Sequence, residues 1–134
     1  MTLLLIGDGF FWLFHTLLIF FNLFGWIPAR TRRLNLITLT VTLFSWLIMG
    51  FWKGIGYCIC TDWHFQIRST LGIQDRADSY LQLLVRKLGL DPPLSLLNNV
   101  AGVCMLIAVV ASVSLNLRDF RFRSRRGEHG ELDG

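Results

Sequence analysis

The chain has 134 residues, 53% of them hydrophobic and 13% aromatic, with a formal net charge of +4. One domain of that size and apolarity has too little polar surface for an ordinary soluble protein, and three cysteines exclude a disulfide framework. The basic residues flank apolar runs, the pattern of a membrane face rather than of a nucleic-acid surface.

The opening residues carry no basic n-region and no cleavage site closes the first apolar run, so no signal peptide is expected. Phe10 to Ile27 is apolar except for His15, Thr16 and Asn22. Eighteen helical residues reach about 27 Å, close to the ~30 Å of a hydrocarbon layer, and Leu3 to Ile6 can make up the difference. The first span is therefore expected over residues 9–28, closed by Pro28 and the basic run Arg30, Arg32 and Arg33. The second is expected over 34–56, with Thr38, Thr40, Thr42 and Ser45 able to bond back to their own helix or to a neighbour.

Residues 57–93 form a mixed outer segment. Thr61 or Asp62 is positioned to cap a short helix with an apolar stripe of Trp63, Ile67 and Leu71, ending at Gly72. Asp78 or Ser79 caps a second, which Gly89 and Asp91-Pro92-Pro93 end. Too short to cross, these helices are expected to lie in the interface or fold back into it. The third span covers 94–117, interrupted by Asn98, Asn99 and Cys104. The fold class expected is thus an all-α membrane protein with three transmembrane helices and one or two short interfacial or re-entrant helices between spans two and three. Residues 1–119 make one helical membrane domain, and 120–134 a basic, then disordered, cytoplasmic tail.

With three spans, Arg30, Arg32 and Arg33 share a side with Arg118, Arg121, Arg123, Arg125 and Arg126. Lys53, Arg68, Arg76, Arg86 and Lys87 are spread along the middle of the chain among acidic residues. The positive-inside rule then puts the N-terminus and middle segment outside and the tail in the cytoplasm of a bacterial inner membrane.

This topology gathers polar residues at one depth. His15 lies near the outer start of the first span, Cys58, Cys60, Asp62, His64 and Arg68 follow the second, and Asn98 begins the third. Ionisable groups inside a span are costly and face the bundle interior with a partner, which makes these residues a candidate pocket. Three chemistries suit them. His15, His64 and Cys58 are candidate ligands for a metal or haem, although Cys-x-Cys-x-x-x-His is neither a haem-attachment nor a standard zinc pattern. Cys60, ahead of a helix start, is expected to have a lowered thiol pKa and to exchange with Cys58 or a partner. The simplest arrangement is structural: His15 bonds the loop, and His64 pairs with Asp62 or stacks on Trp63. No Walker A loop, His-Glu-x-x-His or Gly-x-Ser-x-Gly occurs, so no enzyme class is indicated.

His15 is followed ten residues later by Gly25, and Cys58, Thr61, Arg68 and Gly72 keep a second fixed spacing after the second span. In this the chain resembles an uncharacterised, domain-of-unknown-function family of small bacterial membrane proteins, over roughly Phe10 to Leu117. Its loop pattern is Cys-Pro-Leu-Thr-x-x-Glu-x-x-x-Arg-x-x-x-Gly. Ile59, Cys60 and His64 depart from it, standing where Pro, Leu and Glu would be. The resemblance implies a compact helical membrane fold of three or four segments and no particular activity. If the family shares one site, Cys60 is not essential to it.

The functional expectation is an accessory or scaffold subunit of an envelope complex, with the bilayer and other membrane subunits as partners and no nucleic acid. The alternative is a redox or metal- or haem-binding protein using the His/Cys pocket. A lipid or quinone under the middle segment is a third class.

Overall fold

A computed structural model describes residues 1–53, 58–74 and 77–132, with side chains described as far as residue 125. Five helices follow in order: α1 (Thr2–Phe24), α2 (Arg32–Lys53), α3 (Ile59–Thr70), α4 (Tyr80–Lys87) and α5 (Leu94–Leu132). Three of them, α1, α2 and α5, are long and apolar enough to cross a membrane. The protein is an all-α membrane protein of the expected class, with two short helices between its second and third spans.

The α1–α2 turn depends on one glycine. A Cβ on Gly25 would lie 2.5 Å from the Phe21 carbonyl oxygen and 2.9 Å from Asn35 Nδ2. With no Cβ there, Asn35 reaches across from α2 and donates to the Phe21 carbonyl at 2.7 Å. Thr31 Oγ1 closes the turn by donating to the Gly25 carbonyl at 2.7 Å. Because of this turn α1 stops at Phe24 rather than near residue 28, and it starts at Thr2 rather than near residue 9. Leu3 to Ile6 simply extend the helix, and no proline interrupts them.

Thr38, Thr40 and Thr42 donate to carbonyls of their own helix, as their type predicts. Thr42 also accepts from Asn22 Nδ2 at 2.9 Å, a polar link between α1 and α2. The last residues expected in the second span, 54–56, lie outside the described residues. The core is small: Leu39, Met105 and Ala108 are buried between α2 and α5, with Trp26, Leu43, Trp46 and Val109 packed around them.

Arg32 fastens α2 to α5. Its Nη1 meets both carboxylate oxygens of Asp119, at 2.8 and 3.1 Å, and Asn116 Nδ2 donates to the Arg32 carbonyl at 3.1 Å. The arginine-bearing turn and the far part of α5 therefore lie at the same end of the bundle. Beyond that end α5 continues to Leu132, so residues 127–132 form helix where the sequence suggested disordered chain. No proline follows Pro93, so nothing in the backbone stops the helix at the membrane boundary.

At the opposite end, α3 packs on α1 through a polar face, with Ile67 and Leu71 of its apolar stripe half-buried beside that face. Thr61 and His64 are buried, while Trp63 is 56% exposed. Spacings of three and four put Thr61, His64 and Arg68 on one helical face. The N-cap is Cys58, not Thr61 or Asp62. On α4 the cap is Ser79, whose hydroxyl accepts from the Gln82 amide at 3.2 Å. Gly72 (φ +77°) and Gly89 (φ +84°) end α3 and α4 in the left-handed conformation that glycine adopts without strain.

Candidate functional site

Two polar clusters meet where α3 and α4 cross α1. In the first, His15 is 3% exposed and its Nδ1 donates to the Phe11 carbonyl, one turn back, at 3.2 Å. A carbonyl only accepts, so in the neutral ring Nδ1 carries the proton and Nε2 is an acceptor. Nε2 faces Cys58 Sγ and Thr61 Oγ1, each at 3.4 Å, and these two are themselves 2.9 Å apart. The imidazole is held flat by Tyr80, whose ring stacks on it with centroids 4.3 Å apart. The Tyr80 hydroxyl in turn donates to the Trp12 carbonyl at 2.9 Å and touches Thr16 Oγ1 at 3.0 Å. Burial raises the Tyr80 pKa above the ordinary 10.0, with the Thr16 bond opposing the shift.

The second cluster centres on Asp8. One of its oxygens accepts from His64 Nε2 at 2.9 Å and from Arg68 Nη1 at 3.0 Å. A carboxylate only accepts, so His64 Nε2 carries a proton. The His64 side chain is 0% exposed, and its ring stacks on Phe11 at 5.7 Å. The clusters touch through the two imidazoles, whose centroids are 6.2 Å apart and nearly parallel.

Of the residues expected in a pocket, the fold brings His15, Cys58, His64 and Arg68 together. His64 pairs with Asp8, not with Asp62. Asp62 lies on another face of α3, where it accepts from Gln66 Nε2 at 2.6 Å and approaches Lys53 Nζ at 3.9 Å. Asn98 lines the cavity described below without joining either cluster. Cys60 is half-buried inside α3, and its thiol pKa is raised above 9.0, first by burial and then by the neighbouring Cys58. That reverses the expected activation: at the second helical position, burial outweighs any gain from the helix N-terminus. Among the described residues, no three His, Cys, Asp or Glu side chains are placed to hold one metal ion.

Sequence reasoning missed Asp8 and Tyr80. A signal for Asp8 was present, since it stands seven residues before His15 and so shares a helical face with it.

Beneath the first cluster lies a cavity of about 220 Å³ between α1, α2, α4 and α5. Its end is formed by His15, Cys58 and Thr61, and its walls by Leu18, Ile19, Trp46, Leu81, Ala101 and Met105, with Asn22 and Thr42 at the far end. No Lys, Arg, Asp or Glu lines it. Val100 of α5, another lining residue, is 50% exposed.

Fold and site together define a three-span α-helical membrane protein with a thiol–imidazole pair lining a largely apolar cavity. The chain belongs to the family described as Protein of Unknown function (DUF2784), which matches residues 6–117. The match contains both clusters and the whole cavity lining. No curated protein and no solved structure matches the chain.

Proposed function

We propose that the protein binds the chain of a membrane amphiphile in the cavity under α3 and α4. The observation that supports this reading is a volume of about 220 Å³ with no charged lining residue, apolar along its walls, that has His15, Cys58 and Thr61 and the half-exposed Val100 in its lining. It exceeds the ~150 Å³ of an apolar cavity that stays dry and takes up benzene, and falls short of the ~300 Å³ at which drug-sized pockets begin. A ring or part of an acyl chain fits, and the rest of the molecule extends into lipid. The aromatic and ion-pair contacts of Asp8, His64, Arg68 and Tyr80 hold α3 and α4 over this volume. Apolar side chains are exposed on all three spans, as lipid contact alone requires, and single out no protein partner.

Native mass spectrometry of the detergent-purified protein tests the proposal. A lipid-mass adduct is expected on the parent and is expected to be lost in Ala101→Phe, which puts a ring into the cavity. Equal adducts on both proteins, or none on the parent, overturn it.

We also assign the Cys58 end to the outer side of a bacterial inner membrane and the Arg32 end to the cytoplasm, on the distribution of arginines. Gln74, exposed after α3, provides the test. A cysteine introduced there should react with an impermeant maleimide in intact cells; labelling only after lysis refutes the orientation.

A further inference from the structure

We infer that Cys58 is a nucleophile that accepts an acyl group, with His15 as its base. The inference rests on the reading of the cavity as a chain-binding site. The arrangement has the three parts that nucleophilic catalysis by a thiol requires. The nucleophile and base are in contact, Sγ to Nε2 at 3.4 Å. The base is oriented by a third group, the Phe11 carbonyl, which accepts a hydrogen bond from Nδ1–H and leaves Nε2 to accept. A binding volume adjoins the thiol, since Cys58 and His15 both line the cavity. Thr61 Oγ1, 2.9 Å from the sulfur, fixes the thiol between hydroxyl and imidazole. The buried Tyr80 ring, stacked at 4.3 Å, stops the imidazole from turning away.

The apolar walls select the electrophile: a long-chain carboxylic acyl group, as a phospholipid ester or an acyl thioester. The Cys58 proton passes to His15 Nε2, and the thiolate adds to the acyl carbonyl carbon. A carbon–sulfur bond to Cys58 forms as the bond from that carbon to the donor's oxygen or sulfur breaks. The leaving alkoxide or thiolate takes the proton back from His15. The products are S-acyl Cys58 and a lysophospholipid or free thiol, and no oxidant or reductant takes part.

The test uses the full-length protein in vesicles of phosphatidylglycerol with deuterated acyl chains, and separately in undeuterated vesicles given a deuterated palmitoyl thioester. Intact-mass analysis should show the gain of one acyl group from at least one donor, removable by neutral hydroxylamine. It should map to Cys58, persist in Cys60→Ser and vanish in Cys58→Ser. His15→Gln should slow it at least 100-fold, the lower range of a general base. Acylation from neither donor, acylation of another cysteine, or an undiminished rate in His15→Gln overturns the inference. Adduct measurements on Cys58→Ser separate the two levels: retained lipid with no acylation of the parent leaves the binding reading standing and removes only the chemistry. Absence of both removes both.

Discussion

Replacing Asp8 with alanine should be the most damaging single change in the polar end of the bundle. Its carboxylate accepts two charge-assisted hydrogen bonds, from His64 at 2.9 Å and Arg68 at 3.0 Å. Such bonds are each worth about 1.5–3 kcal/mol, and deleting one partner of a buried pair costs about 3–5 kcal/mol. The lower end applies here, because the Asp8 and Arg68 side chains keep 18% and 12% exposure and Arg68 also lies over the Trp12 ring. A loss of about 3 kcal/mol is expected, equivalent to a fall of about 10 °C in Tm for a chain of this length. Asp8→Asn should lose about half of that, since its amide oxygen still accepts but carries no charge. Thermal unfolding in detergent reads both. A double-mutant cycle with His64→Ala should give a coupling of about 1.5–3 kcal/mol. A coupling near zero, or an Asp8→Ala variant within about 0.5 kcal/mol of the parent, would refute the assignment of Asp8 as the anchor of α3.

Gly25→Ala should destabilise the protein by about 1–3 kcal/mol, as overpacking does, and Asn35→Ala introduced with it should cost little more because the same contact is already gone; unfolding in detergent checks both. Cys60 should alkylate more slowly at neutral pH than a free thiol, with its rate midpoint above the ordinary 9.0. The folded thiol keeps its proton longer than the unfolded one, so its contribution to stability is level below that pH and declines above it. In Cys60→Ser that alkaline decline should be absent. Asp119→Ala should loosen the Arg32 end, measured as faster proteolysis within α5, and the swap Arg32→Asp with Asp119→Arg should restore resistance.

Much of the architecture was legible in the residues themselves. Three runs of apolar side chains each long enough to cross a bilayer, separated by Pro28 with its arginines and by Asp91-Pro92-Pro93, leave few alternatives to three spanning helices, because backbone groups in lipid must bond within their own helix. Ser79 and Gly89 marked the ends of α4 by local chemistry alone. The gathering of His15 with Cys58 and His64 followed from topology, since the start of one span and the end of the next are bound to lie at the same depth.

Tertiary packing decided which atoms meet. Whether His64 faces Asp62, two residues away, or Asp8, 56 residues away, depends on the rotation of α3 about its axis. That rotation is fixed by packing against α1 and cannot be read from the amphipathic pattern of α3 alone, which carries both a polar and an apolar stripe. The same packing buried Cys60 instead of activating it, and left an uncharged cavity beside Cys58 and His15. Span number comes from hydropathy and helical rise, which are local. Pairing, tautomer and cavity come from the relative placement of helices, which only the folded chain contains.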